Sequence, residues 1–236
     1  MKGMQMRPSV NDVMRSIRLL LPSLAVCALL LAPPASAQVD GVHVTVSPYA
    51  GWTHWDDGTN LKGKPVFGGR LGLMLNRYLG AEANYGYIPA TTKFGSTMYA
   101  PKVDVGREIG AAVHHYGGDV ILNFGLSTPI SPYILAGYQQ VAYVSDDAAI
   151  VEDNTYSGFE FGGGLTGRIA PRVALRAEVR DVILNFDSPA ARTDDYQHNL
   201  FMTLGLQFSL GGRTVSQDAD GDGVPDSRDT CPGTPL

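Results

Sequence analysis

The segment Gln217 to Leu236, QDADGDGVPDSRDTCPGTPL, gathers the side chains most suited to chemistry. Asp218, Asp220, Asp222, Asp226 and Asp229 fall within one short run. Five carboxylates that close repel one another unless a cation sits among them. With Asp218 as position one, carboxylates stand at one, three, five, nine and twelve. Gly223 stands at six, and Val224 offers its backbone carbonyl at seven. That is the ligand order of a calcium loop, with glycine where the sharp turn requires it. Asp229 replaces the usual long Glu at the twelfth position, which shortens its reach. The expectation is Ca2+ held by Asp218, Asp220, Asp222, Val224, Asp226 and Asp229.

A helix-loop-helix setting fails on the flanks. Ser209-Leu210-Gly211-Gly212 lies upstream and Cys231-Pro232-Gly233-Thr234-Pro235 downstream, and neither supports a helix of useful length. The residues Asp218 to Pro232 follow the pattern DxDGDGxxDxxDxCP and resemble a thrombospondin type 3 repeat. The resemblance implies a helix-free loop wrapped around calcium. An acidic disordered tail is the plainer reading, but such tails do not usually place Gly and Asp at ligand offsets.

The opposite end gives an address. Lys2, Arg7, Arg15 and Arg18 precede an apolar run from Leu19 to Leu31, followed by Ala35-Ser36-Ala37. A positive start, a short apolar core and an A-x-A site are the parts of a secretory signal peptide. The run is too short for a spanning helix, which needs about 20 apolar residues. Cleavage is expected after Ala37. The leader holds four of the 18 Lys and Arg and one of the 23 Asp and Glu, leaving 14 against 22 and a net charge of −8. No basic patch remains, so nucleic acid is not an expected partner. Of the two cysteines, Cys27 leaves with the leader, and Cys231 has no internal partner.

Between the ends, apolar residues recur at alternate positions and glycine is abundant, with 28 in the chain. Leu200, Met202, Leu204, Leu206, Phe208 and Leu210 share one strand face, and Thr203, Gly205, Gln207 and Ser209 the other. Val173, Leu175, Ala177 and Val179 alternate with Arg176, Glu178 and Arg180 in the same way. Eight strands are expected, at 42–52, 66–76, 79–89, 111–124, 132–145, 155–169, 172–186 and 198–210. Each is near or above the roughly 9–11 residues of a tilted bilayer-crossing strand. Short links at 76–78, 125–131 and 170–171 alternate with longer ones at 53–65, 90–110, 146–154 and 187–197, the asymmetry of outer-membrane barrels. The predicted fold is an all-β, eight-stranded antiparallel transmembrane up-and-down barrel.

Solvation sets the faces. An Arg or Lys at the midplane of the lipid face costs about 2–4 kcal/mol, so the Leu, Phe and Val faces point out. Arg70, Glu82, Asp119, Glu160, Arg168, Arg176, Glu178 and Arg180 point in. Buried charges of both signs must pair or draw in water, which predicts an ion-pair network plugging the lumen, with Glu160 and Arg180 opposed across the last hairpin but one. Tyr49, Trp52, Tyr87, Tyr143, Tyr156 and Phe186 are assigned to interfacial belts.

These features together resemble an OmpA-type outer-membrane protein. Thr203, Gly205, Phe208 and Leu210 also resemble the assembly signal in the last strand of such barrels. The implied partners are outer-membrane lipids and the barrel assembly machinery. In that family such repeats link the barrel to a peptidoglycan-binding domain. This sequence ends at Leu236, so a peptidoglycan link is expected only of a longer form. The expected domains are a signal peptide at 1–37, a barrel at 38–211 and a calcium-binding linker at 212–236, with the linker in the periplasm.

Catalysis is not expected. Lipid A deacylases of this shape use a His-x-Ser pair, and none of His43, His54, His114, His115 and His198 has Ser two residues on. His114 and His115 are adjacent, and strand neighbours point to opposite faces. Asp194-Asp195 with His198, and His54 with Asp56 and Asp57, read as polar loop clusters. The expected function is a structural outer-membrane barrel with surface-exposed loops. The alternatives are a narrow porin for small solutes, an adhesin-like surface protein, or a soluble ligand-binding barrel.

Overall fold

A computed structural model describes residues 37–56, 61–92, 108–124, 130–145, 154–186, 195–216 and Thr230. Its strands are β1 (Ala37–His54), β2 (Pro65–Met74), β3 (Leu79–Thr91), β4 (Gly110–Asn123), β5 (Ile130–Ser145), β6 (Asn154–Ala170), β7 (Val173–Phe186) and β8 (Asp195–Ser216). Each pairs antiparallel with its neighbours in sequence, and β8 returns to β1 to close the barrel. Closure removes the free edges that hydrocarbon could not solvate.

Alternation in the sequence becomes alternation across the wall. Along β3, Glu82, Asn84, Gly86 and Ile88 are buried while Ala81, Ala83, Tyr85 and Tyr87 are exposed. Leu71, Leu73, Val120, Phe161, Val179, Leu206 and Leu210 form an exposed apolar band on the outer wall. Phe159 is 72% exposed there. So broad an apolar exterior fits hydrocarbon and excludes the soluble-barrel reading. No helix among the described residues is long and apolar enough to cross a membrane; the crossing elements are strands.

The tight turns have local causes. Asn76 Oδ1 accepts from the backbone N–H groups of Tyr78 and Leu79 at 2.8 and 2.9 Å, which shapes the β2–β3 turn. Pro171-Arg172 alone separate β6 from β7. Arg172 Nη1 then donates to the carbonyl of Gly211 at 2.5 Å.

The barrel wall differs from expectation at one end. The pattern of alternation predicts a last strand ending at Leu210 and a barrel ending at Gly211. β8 instead continues to Ser216, pairing Arg213–Ser216 with Ala37–Asp40. The register shifts between Asp40 and His43, and Gly41, Gly211 and Gly212 take φ of +77°, +83° and +63°. Glycine is suited to that region, so the pair GG marks a bulge and not a stop. β2 pairs no lower than His43 and β7 no lower than Phe208, so the β1–β8 ribbon extends past its neighbours.

Candidate functional site: the lumen

Seven of the eight residues assigned to the interior are buried there: Arg70, Glu82, Asp119, Glu160, Arg176, Glu178 and Arg180. Arg168 is half-buried near the end that carries the short turns. β7 supplies the centre of the network, because Arg176, Glu178 and Arg180 occupy successive inward positions. Glu178 is the hub. Its Oε1 accepts from Arg70 Nη2 at 2.7 Å and from Arg180 Nη2 at 2.6 Å, and its Oε2 from Arg176 Nη2 at 2.5 Å. Tyr133 donates its hydroxyl proton to Oε2 at 2.8 Å.

From that hub, contacts cross the lumen. Arg176 forks onto Glu82 of β3, with Nη1 at 2.6 Å from Oε2 and Nη2 at 3.1 Å from Oε1. This bidentate form is the strong, geometrically specific one. Arg180 Nη1 reaches Glu160 Oε2 at 2.8 Å and Asp119 Oδ2 at 3.3 Å. Glu160 and Arg180 are not directly opposed: Glu160 pairs with Val182 and Arg180 with Gly162, so they meet on the diagonal. Three guanidinium groups thus meet four carboxylates in an eight-stranded barrel, whose bore is just wide enough for side chains to fill.

Neutral groups complete the layer. Asn84 Nδ2 donates to Asp119 Oδ2 at 2.9 Å, and Gln139 Nε2 donates to Asn84 Oδ1 at 2.6 Å. Arg70 donates to Thr203 Oγ1 at 2.8 Å and lies over the Tyr49 ring, 3.9 Å from its centroid. Tyr49 Oη is 3.1 Å from His115 Nε2.

Tyr49 corrects the interfacial assignment. It, Tyr143 and Tyr156 face the lumen, with Tyr49 and Tyr143 buried. Trp52 and Tyr87 remain on the outer wall, while the Phe186 side chain lies outside the described residues. Parity carried the signal, since Tyr49 follows Thr45 and Ser47 by steps of two.

An apolar layer above the charges was also missed. Val66, Ile88, Val113, Val141, Val182, Leu184 and Phe201 all point inward near the ends that lead to the long loops. Trp55, Leu61 and Ile109 roof this layer. The Trp55 ring lies 5.9 Å from that of Phe201 and 6.1 Å from that of Tyr143. Leu61 bridges Thr92, and Lys62 pairs with Glu108, so the stems of two long connections are tied to each other. Val182 and Leu184 extend the Arg176-Glu178-Arg180 series by parity, which was the available clue. At the other end a cavity of about 90 Å³ opens among the short turns.

The histidines do not form a catalytic group among the described residues. His114 faces outward, with Nδ1 2.8 Å from Tyr85 Oη, while His115 faces the lumen. His198 pairs with Asp181 on the outer wall at 2.7 Å, and the side chains of Asp194 and Asp195 lie outside the described residues, as does Asp57. Among the described residues no three His, Cys, Asp or Glu side chains are arranged to hold a metal. Asp218, Asp220, Asp222, Val224, Asp226 and Asp229 all lie outside the described residues.

A family profile, the outer membrane protein beta-barrel domain, matches residues 23–208. The chain belongs to the outer-membrane β-barrel family. Its place is therefore the outer membrane, in contact with lipid. Among solved structures, the OprG outer membrane protein of Pseudomonas aeruginosa is similar at 10% identity, with 75% of this chain and all of that one covered and a TM-score of 0.52. The N-terminal β-barrel domain of OprF from the same organism gives 14% identity, 75% and 100% coverage and a TM-score of 0.47. Ail, the attachment invasion locus protein of Yersinia pestis, crystallised with the heparin analogue sucrose octasulfate, gives 15%, 72% and 99%, and 0.46. At these identities the likeness is one of fold. No curated protein sequence matches this chain.

Proposed function

We propose that this family member is a non-catalytic, structural barrel with a closed lumen and a calcium-binding periplasmic segment. The observation that carries the reading is the layer in which Arg70, Arg176 and Arg180 meet Glu82, Glu160, Glu178 and Asp119 across the bore. An aqueous pore for solutes would need that layer removed or drawn to one wall. The apolar layer under Trp55 adds a second barrier.

The wider reading builds on this. Residues 1–37 act as a cleaved export signal, and the barrel assembly machinery inserts the mature chain. The short turns face the periplasm and the long connections face outward, as outer-membrane barrels generally do. Residues 218–229 emerge from β8 into the periplasm and wrap calcium. Titration calorimetry on the full chain in uncharged detergent, with and without Asp220→Asn and Asp222→Asn, tests the calcium part. Heat evolved at millimolar calcium and lost in the double variant supports it. Equal heats in both chains contradict it. For the barrel, proton or ion leak through proteoliposomes should match empty vesicles.

A further inference from the structure

The cavity among the short turns is not used by the reading above. Arg176 lies at its floor, with its charge already met by Glu82 and Glu178. Ser131, Thr166 and Gln207 give its wall hydroxyl and amide groups. Its volume of about 90 Å³ leaves room for roughly six waters at about 10–15 Å³ each, or for one tetrahedral oxyanion and its closest waters.

Two further guanidinium groups line this cavity from opposite sides. Arg77 sits in the β2–β3 turn and Arg172 in the β6–β7 turn, and four strands separate the two turns either way round the closed barrel. Among the described residues their partners carry no charge. Arg77 lies over the Tyr78 ring, 5.2 Å from its centroid. Arg172 Nη1 donates to the carbonyls of Gly211 and Ser209 at 2.5 and 3.4 Å, which leaves the donors on its Nε and Nη2 for another acceptor.

The nearby described carboxylates are taken. Both Glu82 oxygens accept from Arg176. Asp40 is the cross-strand partner of Arg213, and opposite charges so placed offset each other. Arg168 also lines the cavity and has a partner of its own, so it adds nothing to this balance. Two positive charges therefore face one concave, polar space. Guanidinium groups match the oxygens of phosphate in a forked, two-bond geometry that chloride cannot use. Phosphate is also close by. Leu75, Phe124, Ile169 and Leu210 are exposed apolar residues next to the short turns, so the apolar band ends there and headgroups meet the wall at that level.

We propose that Arg77 and Arg172 form a phosphate-oxyanion site at the short-turn mouth of the barrel, filled by free phosphate or by the phosphate of a lipid headgroup. The site rests neither on the closed lumen nor on the calcium segment of the preceding subsection.

Amide NMR on the full chain in maltoside micelles, which carry no phosphate, tests this. Inorganic phosphate is titrated against sodium chloride of equal ionic strength. Saturable shifts of the amide signals of Arg77, Tyr78, Ala170 and Arg172 are expected with phosphate and not with chloride. Arg77→Gln with Arg172→Gln should weaken that binding about tenfold or more, since hydrogen bonds to a charged group are lost on both sides. Arg77→Lys with Arg172→Lys, which keeps the charge and loses the fork, should fall between. A heat-modifiable gel shift equal to that of the parent chain shows that each variant is folded. Short-chain phosphatidylglycerol added to the same micelles, with diacylglycerol as the control, separates the two sources. Shifts with the phospholipid alone assign the site to headgroups, and shifts with inorganic phosphate assign it to the free ion; both sustain the proposal. No saturable shift with either, or equal shifts in the Gln double variant, overturns it.

Discussion

Arg176 on β7 and Glu82 on β3 meet across the lumen, with Nη1 2.6 Å from Oε2, although the two strands are separated by half the circumference of the barrel. A contact of that kind cannot form on one wall. It joins opposite sides of the bore, and Glu178 ties Arg70 and Arg180 to the same layer.

The first prediction concerns that pair. Removing one partner of a buried ion pair leaves an uncompensated charge and costs about 3–5 kcal/mol. Glu82→Gln should therefore lower the unfolding free energy by that order, read from urea or thermal unfolding. Arg176→Met together with Glu82→Leu should recover much of the loss. A double variant no more stable than the worse single variant would contradict a coupled pair.

The second concerns close approach. A Cβ at Gly86 would collide with His115 Nε2 and press on Tyr49 Oη. Overpacking of this sort costs about 1–3 kcal/mol. Gly86→Ala is expected to lose stability within that range, and His115→Ala in the same chain to relieve the clash. Thermal melts followed by the heat-modifiable gel shift would read both.

Much of this is legible in the sequence. Period two separated Leu200–Leu210 from Thr203–Ser209, and alternating connection lengths pointed to an outer-membrane barrel. The interior charges followed from the cost of placing arginine in lipid. Two things escaped. Tyr49 and Tyr143 look like belt residues by type and position near strand ends, and only counting parity, from Thr45 for Tyr49 and from Gln139 for Tyr143, turns them inward. The bulge at Gly211-Gly212 escaped because paired glycines end a strand and kink one with the same residues; the partner Gly41 is distant in sequence and adjacent only in the folded chain.

The third prediction uses the two tryptophans, Trp52 and Trp55. Trp55 is buried beside Tyr143 and Phe201, while Trp52 shares the outward parity of Ala50. The Trp52→Phe chain, which keeps Trp55, should resist quenching by both iodide and brominated acyl chains. The Trp55→Phe chain should be quenched by the brominated lipid. Equal quenching of both chains would place Trp55 outside the plug.

The fourth places the hydrocarbon. Val120 is exposed on the outer wall, and we take it as the trial centre of the apolar band. Val120→Arg should cost about 2–4 kcal/mol in lipid, whereas Tyr196→Arg, at the long-connection end of β8, should cost about 0–1 kcal/mol. Comparable losses at both positions would mean that the band is not centred on Val120.

A closed lumen is read out by single-channel recording in planar bilayers. The protein is expected to insert without steady current steps, because the ion-pair layer and the apolar layer both block the bore. Large, steady steps from the monomer would contradict it.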